Sequence, residues 1–363
     1  MTIDLIAGAR PNFMKIAPII DAIRSAQGRG SRLRHRLIHT GQHYDRNMSG
    51  AFFEQLGIPA PDVNLEVGAG TQAEQTGAIM VRYEKVLLQA RSDLCLVVGD
   101  VTSTMACAIA AQKLGVRVAH VEAGIRSGDW SMPEEINRRV TDSISNYFFT
   151  TSERANENLR RSGVEEDRIR FVGNTMIDTL LKHRARFRPP AIWGAAELRP
   201  REYFVLTLHR PANVDGEDTL RRMLEEVLRA TRGLPVVFPV HPRTARTLQR
   251  LALQAPQLHP IEPLGYLEFN YLVEQAKAVI TDSGGVTEET TVLGVPCLTL
   301  RDSTERPETV TLGTNELIGT DPARVGPALD RVFAGAWKRG GIPPLWDGRT
   351  GERIVQQLEQ ILA

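Results

Sequence analysis

Residues 276–289, AKAVITDSGGVTEE, decide how the second half of the chain folds. An apolar run rich in β-branched residues ends in two adjacent glycines, and a helical pattern that opens with acidic residues follows. This order is typical of a buried parallel strand, a tight turn and a helix. Glycine lets a ligand approach the backbone, and a helix N-terminus attracts anions. The stretch therefore predicts either a phosphate site or a capped helix without a ligand.

The same alternation of strand and helix continues on both sides of this stretch. Strand-like runs include IDLIAG, DLCLVVGD, VRVAHVEA, YFVLTLH and LPVVFPVH, and segments with helical spacing separate them. Such βαβ alternation indicates a parallel sheet covered on both faces. Prolines accumulate in residues 186–201, which favours an inter-domain linker. We therefore predict an α/β protein with two Rossmann-like, doubly wound lobes and an active site in the cleft between them.

Composition narrows the possible partners and the cellular location. The chain has 363 residues and a formal net charge of +1, so we expect neither nucleic acid nor a membrane as a partner. Its three cysteines, Cys95, Cys107 and Cys297, show no metal spacing and indicate reduced thiols. The N-terminus lacks the pattern of a signal peptide, and no apolar run approaches the length of a membrane span. We expect a cytoplasmic protein.

Cationic residues follow several predicted strands. In a parallel sheet these positions converge on the crevice where ligands bind. Several cations aimed at one crevice suggest a diphosphate, whereas any one of them alone could belong to a surface ion pair. The residues are Arg10, Lys15, His209, Arg210, His241 and Arg243.

Acidic residues form a second set at the same strand ends. Asp100 and Glu122 each end an apolar run, and Glu134 follows Pro133 at a predicted helix start. Arg138 lies four residues after Glu134, so the pair could keep that glutamate ionised, and such carboxylates suit general acid and base roles. The alternative is that they pair with local arginines or cap helices.

Two predictions concern the helix after the double glycine. Ser283 is expected to cap it, and Glu288 and Glu289 are expected in its first turn, where one could bind a ribose diol.

The sequence lacks the motifs of serine hydrolases, zinc proteases, P-loop proteins and dinucleotide-binding enzymes. We therefore expect no cofactor and no metal.

Six ordered motifs resemble the non-hydrolysing UDP-N-acetylglucosamine 2-epimerases. They are GARPNFMKIAPI, TGQHYD, HVEAGIRSGDWSMPEEINR, GNTMIDTL, LHRPANVD and the long block that begins TDSGGVTEETTVLGVPCL. The resemblance implies a fold like that of GT-B glycosyltransferases. We accordingly predict lobes of residues 1–187 and 188–350, with a C-terminal helix, residues 351–363, that returns to the first lobe.

The resemblance also implies a reaction and roles for site residues. UDP would leave by anti elimination, giving 2-acetamidoglucal, and re-addition to the other face would invert C2. Asp100, Glu122 and Glu134 would lie near the sugar, with His209 beside the diphosphate; which carboxylate removes the proton stays open. The implied substrate-binding residues are Arg10, Lys15, Arg138, Arg210, His241, Phe269, Ser283, Gly284, Gly285, Glu289 and Arg306. We expect a homodimer that binds a UDP-sugar.

Three alternatives share the predicted UDP site. A relative could epimerise UDP-2,3-diacetamido-2,3-dideoxyglucuronate at C2, since loop residues in the sugar pocket decide between the two sugars. A GT-B glycosyltransferase would share the UDP site but would need an acceptor, and the three carboxylates argue against it. A UDP-sugar sensor would bind without turnover.

Overall fold

The computed structural model describes residues 1–41, 55–240, 242–251, 253 and 255–363. The chain forms two compact units. Unit 1 consists of Met1–Lys182 and Pro344–Ala363, and unit 2 consists of His183–Pro343. Each unit has its own sheet and its own core.

Unit 1 is built on a parallel sheet. Among the described residues its strand order is β3-β2-β1-β4-β5-β6-β7. The strands are β1 Thr2–Ala7, β2 Arg34–His39, β3 Val63–Asn64, β4 Leu94–Val98, β5 Arg117–Val121, β6 Tyr147–Thr150 and β7 Ile169–Phe171. Every residue of β4 is buried, as expected for a central strand with helices on both faces.

Helices connect these strands. They are α1 Arg10–Gly28, α2 Gln72–Gln89, α3 Thr102–Lys113, α4 Pro133–Ile144, α5 Glu153–Arg161 and α6 Thr175–His183, with a short 3₁₀ turn at Glu166–Arg168. Thr71 caps α2, because its side chain accepts a hydrogen bond from the Glu74 amide while Glu74 accepts one from the Thr71 amide. Pro133 occupies the first turn of α4, where its missing N–H costs nothing.

Unit 2 repeats the same topology. Its described strands are ordered β10-β9-β8-β11-β12-β13, all parallel. Their bounds are β8 Phe204–Thr207, β9 Val236–Pro239, β10 Leu258–Ile261, β11 Ala278–Thr281, β12 Cys297–Thr299 and β13 Asn315–Leu317. In both units the order reverses between two central strands, β1 and β4 in unit 1 and β8 and β11 in unit 2. The predicted α/β class with two doubly wound, Rossmann-like lobes is confirmed.

The helices of unit 2 cover its sheet. They are α7 Ala191–Ala195, α8 Pro211–Val214, α9 Glu217–Ala230, α10 Pro242–Leu251, α11 Tyr266–Gln275, α12 Gly284–Leu293, α13 Pro307–Thr311 and α14 Val325–Phe333, with 3₁₀ turns at Arg184–Arg186 and Pro322–Arg324. The proline-rich stretch predicted as a linker contains α7, and Trp193 in it packs edge-on against Tyr203 and Tyr271. None of the described helices is both long enough and apolar enough to span a membrane.

The C-terminal segment of unit 1 contains α15, Thr350–Leu362, which packs on α1. Gly351 makes this close approach possible, because an added Cβ would lie 2.6 Å from the Pro18 carbonyl oxygen. The Gly351 amide donates a hydrogen bond to Asp178 Oδ2 at 2.7 Å, and Trp346 donates its indole N–H to the Thr151 carbonyl at 3.0 Å. Backbone proximity and two buried hydrogen bonds therefore anchor this segment.

Replacing Gly351 by alanine should destabilise unit 1 by roughly 1–3 kcal/mol, because the new methyl group overlaps the backbone of α1. Gly77→Ala in α2 is the matched control, because an added Cβ there meets no atom within 4 Å. The control should gain about 0.5–1 kcal/mol, since glycine weakens an open helical site. Urea unfolding measures both variants. Equal free energies of unfolding would contradict the close packing of α15 on α1.

Asp178 should make unit 1 less stable as the pH rises towards neutrality. Burial raises the pKa of Asp178 to about 6, although hydrogen bonds from Gly351 and Thr350 oppose the shift. The ordinary value is about 3.9, so the folded state binds the proton more tightly and loses this stabilisation between roughly pH 4 and 6. Asp178→Asn cannot titrate, so its free energy of unfolding relative to the native chain should increase across this window. Urea unfolding at both ends of the window measures the difference, and a constant difference would contradict the raised pKa.

Candidate active site

The carboxyl ends of three strands in unit 1 surround a buried ion pair. Lys15, in the helix after β1, places its Nζ 2.7 Å from Oε2 of Glu122, which follows β5. Both side chains are almost fully buried, at 11% and 2% exposure. Gly99, which follows β4, lies against the lysine, since a Cβ there would be 3.0 Å from Nζ. The sequence-predicted residues Lys15 and Glu122 thus meet at the carboxyl ends of β1, β4 and β5, next to the point between β1 and β4 where the strand order reverses.

Glu122 has a strained backbone. Its φ is +67°, a left-handed conformation that costs a residue other than glycine about 1–3 kcal/mol. The Glu122 amide donates to the Phe149 carbonyl at 2.9 Å, which holds the turn on the neighbouring strand. The strained turn directs the carboxylate toward Lys15.

Arg138 contacts two carboxylates, neither of which is the predicted one. Its guanidinium donates to Asp100 Oδ2 at 2.5 Å and to Glu135 Oε2 at 3.3 Å. The predicted pairing of Arg138 with Glu134 is therefore wrong. Glu135 and Arg138 lie on the buried face of α4, whereas Glu134 is half-buried at its edge and makes no ion pair with any described residue.

Glu135 orders the loop before α4. It accepts hydrogen bonds from the Ser127 amide at 2.8 Å, from the Ser127 hydroxyl at 3.1 Å and from Arg139 at 2.9 Å. Burial alone would raise the pKa of Glu135, but these bonds and the charge of Arg138 outweigh it and lower the pKa. Glu135 is therefore an ionised support for Arg138.

Two buried polar residues of unit 1 were missed from the sequence. Asn12 joins two strand ends, because its Oδ1 accepts from the Gly8 and Ala9 amides while its Nδ2 donates to the Val98 carbonyl at 3.0 Å. His120 is fully buried within β5. The only signal for His120 was a histidine inside an otherwise apolar run, VRVAHVEA, and that signal does not show what the ring contacts.

Unit 2 places its polar residues around Asp282, at the corresponding reversal of strand order. The Nδ1 atom of His209 lies 2.7 Å from Asp282 Oδ1, and Asn213 Nδ2 donates to Oδ2 at 2.9 Å. The backbone amides of His209 and Arg210 also donate to this carboxylate. Burial would raise the pKa of Asp282, but the contacts with His209 and Asn213 lower it. Asp282 therefore orients His209, whose side chain is 57% exposed.

The double glycine opens α12 as predicted, but Ser283 does not cap it. Ser283 stands at the N-cap without a side-chain hydrogen bond to the helix, and its amide donates to Thr281 Oγ1 at 2.9 Å. A Cβ added at Gly285 meets no atom within 4 Å. The first amides of α12 thus adjoin open space, which an anion can enter.

The two glutamates of α12 lie deeper in the helix than predicted. The helix begins at Gly284, so Glu288 and Glu289 are its fifth and sixth residues and lie beyond the first turn. Both are buried: Glu288 accepts a hydrogen bond from Arg306, and Glu289 accepts one from Asn270 at 3.3 Å. The prediction that both glutamates lie in the first turn, where the helix dipole would stabilise them, is wrong because the helix starts directly after Ser283.

Arginines and one further carboxylate flank the start of α12. Arg301 Nη2 donates to Glu305 Oε2 at 2.5 Å, and Arg210 Nη2 lies 3.9 Å from Glu305 Oε1. A Cβ at Gly284 would be 3.2 Å from Glu305 Oε1. Burial would raise the pKa of Glu305, but Arg301 and Arg306 lower it to about 2. The sequence pattern does not single out Arg301 or Glu305 as site residues, although both lie in the polar stretch RDSTERPE, residues 301–308, after β12.

Each unit therefore carries part of the predicted set. Unit 1 holds Lys15, Asp100, Glu122, Glu134 and Arg138; unit 2 holds His209, Arg210, Phe269, Ser283, Gly284, Gly285, Glu289 and Arg306. Phe269 is half-buried on α11. The side chains of Arg10 and Arg243 and the whole of His241 lie outside the described residues. In the described part of the chain no three His, Cys, Asp or Glu side chains converge as metal ligands.

Comparison with known proteins identifies the family. The family model described as UDP-N-acetylglucosamine 2-epimerase matches residues 26–359. The UDP-N-acetylglucosamine 2-epimerase of Methanocaldococcus jannaschii is 42% identical, with 99% of each chain covered. A UDP-2,3-diacetamido-2,3-dideoxy-D-glucuronate 2-epimerase of Pseudomonas aeruginosa is also 42% identical, with 88% of each chain covered.

A solved structure agrees with these relatives. The M. jannaschii epimerase in complex with UDP-GlcNAc and UDP has 41% identity and a TM-score of 0.88, and the match covers 99% of this chain and 100% of that one. The chain therefore belongs to the UDP-N-acetylglucosamine 2-epimerase family, and the enzyme class predicted from its motifs, an epimerase, is confirmed.

Proposed function

We propose that this epimerase interconverts UDP-N-acetylglucosamine and UDP-N-acetylmannosamine by eliminating and re-adding UDP. The observation that carries the proposal is the pair of polar sites. Unit 1 presents carboxylates at its strand ends, and unit 2 presents a helix N-terminus among arginines. The first arrangement suits proton transfer at the sugar and the second suits a diphosphate. The names of the relatives and the UDP-GlcNAc and UDP of the solved complex support the same substrate.

Elimination makes the C2 proton removable. This proton is not next to a carbonyl carbon, so its direct removal would leave an unstabilised carbanion. Departure of UDP with the C1–O electron pair builds positive charge at C1 and acidifies C2–H. The C1=C2 double bond of 2-acetamidoglucal forms as the C2–H bond breaks. Re-addition of UDP with protonation from the opposite face gives the other epimer.

Unit 2 is assigned the leaving group. The amides of Ser283, Gly284 and Gly285 would bind phosphate oxygens, and Arg210 and Arg306 would offset the charge that develops on UDP. His209, oriented by Asp282, would lie beside the diphosphate. Phe269 would contact the uracil and Glu289 the ribose. Arg10 and His241 complete the proposed set of substrate contacts.

Unit 1 is assigned the proton transfers. Glu122, which accepts a hydrogen bond from Lys15 at 2.7 Å, would remove or return the proton on one face of the sugar. Glu134, which has no ionic partner among the described residues, would act on the opposite face of the sugar. Because the reaction is reversible, each carboxylate would be base in one direction and acid in the other. Asp100, held by Arg138, would contact the sugar between them.

One other substrate has specific support. The P. aeruginosa relative that is equally identical carries the name of a UDP-2,3-diacetamido-2,3-dideoxy-D-glucuronate 2-epimerase. The chemistry at C1 and C2 would be the same, and only the groups at C3 and C6 differ. Parallel assays with both UDP-sugars decide between them.

Glu122→Gln should lower turnover by roughly 10² or more while leaving UDP affinity nearly unchanged, because it removes a proton acceptor but no UDP contact. The assay follows the anomeric and C2 protons by NMR in D₂O, with EDTA present and without added NAD. Product formed by the native chain should carry deuterium at C2. Glu157→Gln, the same change in an exposed ion pair of α5, is the matched control and should keep full activity.

Two results would contradict this mechanism. Complete retention of the original hydrogen at C2 would indicate redox chemistry at a neighbouring carbon or shielded return by a single base. A strict requirement for NAD or a metal would exclude elimination of UDP without a cofactor.

Gly285→Ala should weaken UDP binding about 10-fold or more, a loss of roughly 1.4 kcal/mol, because the methyl group would occupy the space beside the first amides of α12. The fold should be unaffected, since no atom lies within 4 Å of the added Cβ. Gly194→Ala in α7 is the matched control in the same unit, because its added Cβ also meets no atom within 4 Å. Calorimetric titration with UDP measures both. Unchanged affinity in Gly285→Ala would place the diphosphate elsewhere.

A further inference from the structure

A buried group of charges links the carboxylate-bearing loops of unit 1. We name His120, Asp142 and Arg126 the His120 cluster. The Nδ1 atom of His120 lies 2.7 Å from Asp142 Oδ1, and its Nε2 atom lies 2.8 Å from the Gly99 carbonyl oxygen. Asp142 Oδ2 accepts from Arg126 at 2.6 Å and from the Gly124 amide at 3.1 Å. The histidine is fully buried, and Asp142 is 5% exposed.

The partners of the two ring nitrogens indicate which of them donate hydrogen bonds. A carbonyl oxygen only accepts, so Nε2 must carry a proton. Asp142 has two donors that do not depend on His120, because its Oδ2 accepts from the Arg126 guanidinium at 2.6 Å and from the Gly124 amide at 3.1 Å, and both stabilise the ionised carboxylate. Burial would raise the pKa of Asp142, but the contacts with His120 and Arg126 lower it. An ionised carboxylate also only accepts, so Nδ1 must carry a proton as well. A neutral ring would leave a nitrogen lone pair facing an oxygen lone pair in a buried site, which is costly.

The cluster holds both flanks of Glu122. His120 precedes Glu122 by two residues, and Gly124, whose amide binds Asp142, follows it by two. Glu122 itself adopts the strained left-handed conformation, which persists only when its surroundings impose it. Asp142 lies on α4, which begins beside Glu134 and carries Arg138, the partner of Asp100. The Asp142 carboxylate thus joins the turn that contains Glu122 to α4, the helix that carries Glu134.

The same cluster holds the end of β4. The Gly99 carbonyl that accepts from His120 is adjacent to Asp100, and Gly99 lies against Lys15 Nζ. Gly99 has a φ of +68°, so this turn is also in the left-handed region. A doubly protonated His120 can donate to Gly99 and Asp142 at once, whereas a neutral ring can donate to only one of them.

We propose that His120 is a positioning residue whose two ring nitrogens both donate, which fixes the loops of Asp100 and Glu122 and, through Asp142, the helix of Glu134. The role in turnover rests on the proposed epimerase reaction, but the protonation and the positioning of the loops do not. The cluster carries two cations and one anion, and its excess positive charge lies beside loops that bear carboxylates.

Protonation is tested directly on the native chain. Protein labelled with ¹⁵N in histidine is recorded by NMR at neutral pH without substrate, and the His120 signals are identified by their loss in His120→Gln. Both ring nitrogens of His120 should show protonated shifts and two bonded protons. A neutral tautomer, with one unprotonated ring nitrogen, would overturn the proposal regardless of the substrate.

Positioning is tested with His120→Gln against a matched buried control. Asp4→Asn disrupts another buried ion pair of the same sheet, in which Arg36 donates to both Asp4 oxygens and Tyr83 donates to one of them. Amide hydrogen exchange should accelerate at residues 99–101 and 122–125 in His120→Gln, and along β1 and β2 in Asp4→Asn. Equal exchange of both variants at the β4 and β5 ends would overturn the positioning role without any reference to activity.

Turnover provides the final comparison. His120→Gln should lower kcat roughly 10²-fold, because misplacement of reacting groups by about 1 Å costs that much, while UDP affinity stays within a factor of about two. Asp4→Asn should keep the native kcat, even if its melting temperature falls as far as that of His120→Gln. Equal kcat loss in both variants would reduce His120 to a structural role. If the native chain is inactive but both ring nitrogens of His120 carry protons, the proposed reaction is rejected. The positioning role of His120 is then retained.

Discussion

A carboxylate at the buried end of a parallel strand must find a cation or several hydrogen-bond donors, because an uncompensated buried charge costs several kcal/mol. Both units are organised by this requirement. Glu122 is paired with Lys15, Asp100 with Arg138 and Asp282 with His209. Each partner comes from a different element than its carboxylate, so each pair also joins two segments of the unit. The partners that compensate the charges of these carboxylates therefore also fix the positions of the carboxylate side chains.

The two units apply the same topology to opposite chemistry. In each, the strand order reverses between two central strands, and the loops beyond them diverge to leave room for a ligand. In unit 1 Asp100 follows β4 and Glu122 follows the neighbouring strand β5, and each is paired with a cation. In unit 2 the loops present His209, Arg210 and the amides of α12, and carboxylates support them. In the proposed reaction, different residues would therefore serve proton transfer and leaving-group stabilisation.

The sequence was a good guide to what depends on local pattern. Short β-branched runs predicted the strands, and polar residues after them predicted which side chains gather at the strand ends, including Lys15 and Glu122. The sequence pattern does not predict the contacts that depend on tertiary packing. Helical spacing paired Glu134 with Arg138, but α4 buries Glu135 and Arg138 together, so the partner became Asp100. Ser283 fits the composition of a cap, yet the chain bends so that the first helical residue is Gly284 itself.

His120 shows most plainly why the rest could not be read from the sequence. A lone histidine in an apolar strand gives no hint of its partners, and Asp142 lies 22 residues further along on a helix. Only the fold brings the carboxylate, the guanidinium of Arg126 and the Gly99 carbonyl to one ring.

Two arginines of unit 2 are paired with carboxylates of the same unit. Arg306 binds Glu288, and Arg301 binds Glu305, whose lowered pKa keeps it ionised. These carboxylates hold the guanidinium groups in fixed orientations, which lowers the entropy lost when a ligand binds. They also compete with any phosphate for the same donors, so UDP would bind less tightly than to bare arginines. The proposed reaction needs such balance, because UDP would have to leave C1 and then return to it, and a site that bound UDP too tightly would stop the reaction at the glycal.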